Sequence, residues 1–286
     1  MKFTKMQGIG NDYVYVDCTQ KAISDPEAVA RRISDRHFGI GSDGLVLILP
    51  GDRADFRMRM YNADGSEAEM CGNASRCVAR YVYERGLTDR TEITLETGSG
   101  IRTLRLNLQD GKVASVQVDM GVPELRPERI PVDAKALGLP EDADRVQGAL
   151  LHTEDGIYSV TCVSMGNPHC VVFQKEVDSW PVEKRGPGFE NHPAFPRRIN
   201  TEFAAVLDRE HIRMRVWERG SGETLACGTG ACAAAAASIL CGKTGHRLTV
   251  ALKGGDLQIE WNGNNGSAYM TGTASFVFEG DIDVQD

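Results

Sequence analysis

The chain carries the same plan twice. Moving 156 positions along from a first-half residue lands repeatedly on the same residue: Gly10-Asn11 on Gly166-Asn167, Arg57-Met58-Arg59 on Arg213-Met214-Arg215, and Glu67 on Glu223. Cys71-Gly72 likewise falls on Cys227-Gly228, and Gly98 on Gly254. The register holds without a gap from residue 10 to residue 98, far longer than any single motif. An internal duplication explains it: two similar halves, each presenting one Cys-Gly at the start of a helix. A length of 286 residues is about twice a typical domain and agrees with two.

Composition narrows the class. A net charge of −8 argues against nonspecific nucleic-acid binding, which needs clustered Lys and Arg. With 41% apolar and 25% charged residues the chain can bury a core. No apolar run is long enough to span a membrane, and the start, MKFTKMQGIGND, lacks the apolar stretch of a signal peptide. A soluble cytoplasmic protein is expected. Eight cysteines are unusual for such a chain, yet reducing compartments disfavour disulfides, and no C-x-x-C or H-E-x-x-H is present. No metal site is expected, and most of the eight should be packed thiols.

Local patterns place the elements. Ser24-Asp25-Pro26-Glu27 reads as a capping box opening a helix to about Arg36. Residues 45–49 form an apolar strand, and 56–61 alternate with Phe56, Met58 and Met60 on one face. After Cys71 the spacing is helical and stops at Gly86. Strands follow near 91–96, 101–108 and 113–119, and the proline-containing stretch 122–150 reads as a linker or crossover. In the second half, strands are expected at 158–163, 169–173, 202–207 and 212–217, with a Pro/Gly-rich loop at 181–196. The Ala-rich segment 227–240 is a strong helix former ending near Gly242; strands at 247–252, 256–261 and 268–279 close the chain.

Two segments imitate dinucleotide fingerprints. GIGSDG (39–44) runs from helix to strand, the reverse of the Rossmann order, and GTGACA (228–233) opens a helix but has its nearest clear strand ending ten residues earlier and no acid at ribose-binding distance. Both read as turn or helix-start glycines, so no cofactor is expected. Cys71 and Cys227 read differently. Each follows a polar, Gly-containing loop and precedes Gly and a helix, so backbone N–H groups and the positive dipole end sit beside the sulfur. That environment favours a thiolate and also binds an anion. Two equivalent thiols suit inversion at a carbon, where one group removes a proton and a similar one delivers another to the opposite face. Helix starts would steady the substrate carboxylate as charge develops.

Around these positions the chain carries the motifs MQGIGNDYV (6–14), FGIGSDGLVLI (38–48), MYNADGSEAEMCGNASRC (60–77), SMGNPHCVVF (164–173), INTEF (199–203) and RVWERGSGETLACGTGACAA (215–234). On these motifs the sequence resembles the diaminopimelate epimerase family over essentially its whole length. The resemblance implies cofactor-independent conversion of LL- to meso-diaminopimelate, in lysine and peptidoglycan-precursor synthesis, and a homodimer. It implies an α+β fold of two pseudo-symmetric halves, each a mostly antiparallel sheet wrapped around a central helix. The expected halves are 1–122, carrying Cys71 and completed by a C-terminal strand near 275–286, and 123–274, carrying Cys227.

Carried over position by position, Cys71 and Cys227 resemble the acid/base pair, with His169 and Glu218 as helpers that set thiol protonation. Gly72-Asn73 and Gly228-Thr229 resemble the helix-start amides that hold the reacting carboxylate. Asn11, Asn62, Asn167, Asn200, Glu218 and Arg219 resemble the groups reading the substrate, Arg219 through its planar donor fork. From the residues alone, Asn11 and Asn62 also fit turn positions and His169 a strand-edge histidine. Asn62 and Glu218 are equivalent in the repeat but not identical. Two departures stand out: Gly44, where many relatives carry Gln, and Ala74-Ser75 in place of Gly-Ala. A two-thiol racemase of the proline or hydroxyproline type, and a non-catalytic scaffold with structural thiols, are the alternatives.

Overall fold

A computed structural model of the chain describes residues 1–264 and 266–284. The chain divides into two compact units, one of Met1–Asp119 with Thr271–Asp286 and one of Met120–Met270. Residues 285 and 286, at the end of the expected C-terminal strand, lie outside the described residues.

The first unit runs β1 (Lys2–Gly8), β2 (Asn11–Asp17), α1 (Pro26–Ser34), β3 (Gly44–Pro50), β4 (Phe56–Asn62), β5 (Glu67–Ala68) and α2 (Gly72–Glu84). It continues as β6 (Glu92–Thr97), β7 (Gly100–Gln109) and β8 (Lys112–Gly121), and a closing strand, Ser275–Asp281, returns antiparallel to β1. Pairing is antiparallel except at β2–β3 and β4–β6, the two connections that carry helices. In β4 the alternation buries Phe56, Met58 and Met60, as a two-residue period requires. α2 packs against β1, β2 and β7, burying residues around most of its circumference, and Gly86 at φ +70° ends it.

α1 begins one residue differently from the expected capping box. Asp25, not Ser24, occupies the cap position and accepts from the Ala28 amide at 3.0 Å, with Pro26 at the first helical position. The helix stops at Ser34 and not Arg36, because the Asp35 carboxylate accepts from the His37 and Phe38 amides at 2.7 and 2.8 Å and turns the chain.

The second unit contains β9 (Val146–Thr153), β10 (Gly156–Ser164), β11 (Pro168–Gln174), α3 (Val182–Glu190), β12 (Asn200–Val206), β13 (His211–Glu218) and β14 (Gly222–Thr224). Then come α4 (Gly228–Leu240), β15 (Arg247–Leu252), β16 (Gly255–Glu260) and β17 (Ala268–Gly272), whose last two residues fall in the first unit. The offset of 156 carries α1 onto α3, β3 onto β12 and α2 onto α4 with no shift at either end. The pairing is repeated too: β11–β12 and β13–β15 are parallel, their neighbours antiparallel. Even the register returns, Met60 facing Ala68 as Val216 faces Thr224. Each unit is thus a mostly antiparallel sheet around one helix, the α+β plan. α4, rich in alanine, is buried on nearly all sides among β10, β11, β12, β13, β15 and β16, as expected of an interior helix.

Three further expectations are corrected. Residues 122–150 are not a linker: Ile130, Val132 and Leu137 join the apolar core of the second unit, two short 3-10 turns shape the segment, and residues 146–153 form β9. The expected loop at 181–196 holds α3, despite Pro187 inside it. Packing decides this. Phe189 is buried against Tyr158 and Phe203, and Trp217 lies so close that a Cβ on Gly186 would sit 2.2 Å from its ring. Trp217 then donates its ring N–H to Glu190 at 2.7 Å. Finally, the expected strand 268–279 is broken between Gly272 and Ser275, where Arg76 and Arg80 of α2 donate to the carbonyls of Thr273 and Ala274.

Candidate active site

Each Cys-Gly sits where a short hairpin meets a helix. In the first unit β4 and β5 deliver the chain to Cys71, which caps α2 with extended backbone (φ −140°, ψ 119°). Its sulfur accepts from the Ala74 amide at 3.5 Å and lies 3.5 Å from Asn11 Oδ1. Ser75 fastens the same turn, donating both N–H and hydroxyl to the Cys71 carbonyl at 2.9 Å. A sulfur at a helix start feels the positive end of the dipole, which favours the thiolate. Gly72 and Asn73 are the first two helical residues, both buried.

Asn11 is held rather than left in a turn. Its amide donates to Asp43 Oδ2 at 2.7 Å, and Asp43 also accepts from the Asp12 amide and from Arg36. Burial lifts the Asp43 carboxyl above the usual range, and Asp12 adds to it. Asp12 is also pulled up by burial, but Arg36 and Lys5 outweigh that and hold it low. Asn62, at the end of β4, donates to Ser66 Oγ at 3.0 Å in the β4–β5 turn. Gly44 has no room for a side chain: a Cβ would lie 2.0 Å from the Tyr61 carbonyl oxygen and 2.8 Å from the Tyr13 ring.

The second unit builds the same corner with different groups. Cys227 caps α4, accepts from the Gly230 amide at 3.4 Å and lies 3.5 Å from Thr229 Oγ1. Thr229 accepts from Asn167 Nδ2 at 3.3 Å, and Asn167 Oδ1 meets His169 Nε2 at 3.0 Å. His169 Nδ1 meets Glu202 Oε1 at 2.7 Å, both side chains fully buried. Asn167, His169, Thr229 and Cys227 therefore form one continuous chain of polar contacts. Glu218 accepts from Thr224 Oγ1 across the β13–β14 hairpin. Asn200 accepts from the Arg219 backbone N–H and donates to the Pro168 carbonyl, each at 2.9 Å, while the Arg219 guanidinium donates to the Arg197 carbonyl. Gly228 is the first residue of α4.

The electrostatics around Cys227 are unfavourable to a thiolate. Burial pushes its thiol well above the ordinary value, Glu218 and Glu202 push it further, and the Thr229 and Gly230 contacts only partly oppose them. Cys18 and Cys77 are pushed up to about 11 by burial, as packed thiols should be. Among the described residues no three His, Cys, Asp or Glu side chains converge as a metal site, and no helix is long and apolar enough to cross a membrane.

Sequence reasoning missed Glu202. Its signal was present: a lone acid inside the buried strand NTEFAAV needs a partner. The offset shows that it is particular to the second unit, since Glu202 falls on Val46 and His169 on Tyr13, whereas Asn167 falls on Asn11. The cysteines and the asparagine are common to both units; the buried acid–imidazole pair belongs to the second alone.

The fold is that of a class of duplicated α+β proteins. A PhzF-family phenazine biosynthesis protein from Bacillus anthracis matches with a TM-score of 0.71 at 17% identity, covering 99% of both chains. A hydroxyproline epimerase from Agrobacterium vitis matches at 0.69 and 16%, covering 99% of this chain and 90% of that one. Such identities speak for fold alone. Sequence goes further: the family model for diaminopimelate epimerase matches residues 3–126 and 161–277. A diaminopimelate epimerase of Acetivibrio thermocellus is 56% identical over 286 residues, all of both chains. One from Methanococcus maripaludis is 54% identical over 284 residues, 99% of this chain and 100% of its own. The chain belongs to the diaminopimelate epimerase family.

Proposed function

We propose that the protein interconverts LL- and meso-2,6-diaminopimelate without a cofactor, using Cys71 and Cys227 as its acid–base pair. The observation that carries this reading is the equivalence of the two cysteines. Each caps the central helix of its unit at the same repeat position, in a chain 56% identical over its full length to a diaminopimelate epimerase. Inversion needs a base on one face of the α-carbon and an acid on the other. One thiolate takes the α-proton and becomes a thiol; the other thiol gives its proton to the opposite face of the carbanion and becomes a thiolate. In the reverse direction the roles exchange, which is why two like groups serve better than unlike ones.

The remaining residues take roles around that exchange. The amides of Gly72-Asn73 and Gly228-Thr229 hold the reacting carboxylate at the helix starts. Asn11, Asn62, Asn167, Asn200, Glu218 and Arg219 read the rest of the substrate, and His169 with Glu218 govern thiol protonation. The halves 1–122 with 275–286, and 123–274, each supply one of the two thiols. The family resemblance further supports a cytoplasmic homodimer serving lysine and peptidoglycan-precursor synthesis. The test is direct: purified protein should epimerise LL-diaminopimelate with incorporation of solvent deuterium at the α-carbon, and Cys71→Ala and Cys227→Ala should each abolish it. A Cys71→Ala variant working at near wild-type rate would refute the two-thiol mechanism.

A further inference from the structure

The site beside Cys227 contains a group that the two-thiol reading does not use. Glu202 and His169 are fully buried, 33 residues apart in sequence, and meet at 2.7 Å because β11 and β12 run parallel. The second carboxyl oxygen of Glu202 is buried and makes no hydrogen bond among the described residues. Its first oxygen lies against the opening turn of α4. A Cβ on Gly230 would fall 2.6 Å from Glu202 Oε1 and 3.2 Å from Cys227 Sγ, so carboxyl and thiol flank the same glycine.

Hydrogen-bond roles follow from these contacts. Asn167 Nδ2 donates to Thr229, which leaves Asn167 Oδ1 facing His169 Nε2, so that nitrogen carries a proton. A contact of 2.7 Å between Nδ1 and Oε1 then needs a second proton, on the ring or on the carboxyl. Imidazolium with carboxylate, or imidazole with carboxylic acid: the pair holds one proton that moves along one axis. The titratable groups facing it are Cys170 on β11, Glu218 on β13 and Cys227 at the start of α4.

We propose that Glu202 is a positioning residue: through its contact with His169 it fixes the orientation and proton content of the imidazole, and through His169, Asn167 and Thr229 the state of the Cys227 thiol. The inference rests on the epimerase reading and deepens it. It also accounts for a difference between the units, since the first has Val46 and Tyr13 where the second has Glu202 and His169. Burial lifts the Glu202 carboxyl and His169 opposes that, as expected of a pair sharing a proton.

A double-mutant cycle tests it. Glu202→Gln keeps the shape and a hydrogen-bonding group but cannot exchange the proton, so kcat should fall about tenfold or more with KM changed little. His169→Gln should cost at least as much. Because Glu202 acts through His169, the double variant should match His169→Gln within about twofold. Glu202→Asp, which restores a carboxyl one methylene short, should recover part of the loss and replaces Glu202→Gln if that variant does not fold. Losses that multiply in the double variant, or a folded Glu202→Gln within about twofold of wild type, would overturn the proposal. Wild type without epimerase activity would instead overturn the functional reading alone. The cycle is then read on site-specific iodoacetamide labelling of Cys227, where the rate change made by Glu202→Gln should shrink several-fold in the His169→Gln background, leaving only the direct effect of the carboxyl on the sulfur; an undiminished change would overturn the proposal.

Discussion

Arg215 grips Glu223 with two nitrogens, Nε at 2.7 Å and a terminal nitrogen at 2.9 Å, and Arg59 holds Glu67 with the same two distances. These are equivalent positions of the repeat, each pinning the hairpin that leads to a cysteine. They differ in depth. The Arg215 and Glu223 side chains are 13% and 7% exposed, whereas Arg59 and Glu67 are 38% and 45% exposed. Arg215 also donates to the carbonyls of Val177, Asp178 and Trp180, and Lys253 joins Glu223 at 2.8 Å.

From this difference the two arginines should contribute unequally. Arg59→Ala breaks a solvated pair and should cost no more than about 1 kcal/mol. Arg215→Ala strands a buried carboxylate with one remaining cation and takes one donor from each of the carbonyls of Val177, Asp178 and Trp180, and should cost about 3 kcal/mol or more. Urea denaturation of both variants measures it. Equal costs would show that burial does not separate the pairs.

The Cys227 thiol should titrate above an ordinary cysteine, near 8.5. Burial comes first among the causes, then the charges of Glu218 and Glu202. Each carboxylate repels the thiolate, so the proton is held to higher pH. Removing one charge lets it leave at lower pH. Glu218→Gln should therefore move the labelling midpoint of Cys227 downward and raise its alkylation rate at pH 7.5 several-fold, measured peptide by peptide in a mass spectrometer. An unchanged or slower rate would contradict the electrostatic account.

Gly230 and Ala74 are equivalent in the repeat, and only the second carries a Cβ. Gly230→Ala gains about 1 kcal/mol in helix propensity. It also drives a methyl to 2.6 Å from Glu202 and 3.2 Å from the Cys227 sulfur. The clash should dominate, lowering both Tm and turnover. Ala74→Gly should lose about 1 kcal/mol of stability through propensity alone. A stabilised and fully active Gly230→Ala would mean that the carboxyl does not need that space.

Gly186 is where Trp217 crosses α3. A methyl there would meet the indole at 2.2 Å, so Gly186→Ala should destabilise the second unit by about 1–3 kcal/mol through overpacking. The bond from Trp217 to Glu190 should be lost with it. Denaturation curves followed by tryptophan fluorescence report both effects. Wild-type stability and emission would show that the ring relocates freely.

Much of this molecule is legible in its sequence. The duplication, the strand at 56–61, the helices after Cys71 and Cys227 and their glycine stops are local matters of period, propensity and punctuation. The helix at 182–190 was not, because Pro187 and two glycines disguise it. Yet shifting α1 by 156 lands on it without error, so the repeat held information that local composition obscured. The core residues of 130–137 and the break before Ser275 had no comparable signal. Both depend on what the segment meets, an apolar core in one case and the arginines of α2 in the other.

The sequence by itself determined that two like units each set a cysteine at a helix start, since a constant register and a Cys-Gly before a helix-forming run are properties of the chain. Only the tertiary structure decided that the two corners differ. Glu202 and His169 lie on separate strands, and nothing local relates them. They meet because parallel pairing sets His169 opposite Asn200, which puts Glu202, two residues on, on the same face beside the ring. Burial removes water from that contact and makes its single proton consequential for the thiol beside it.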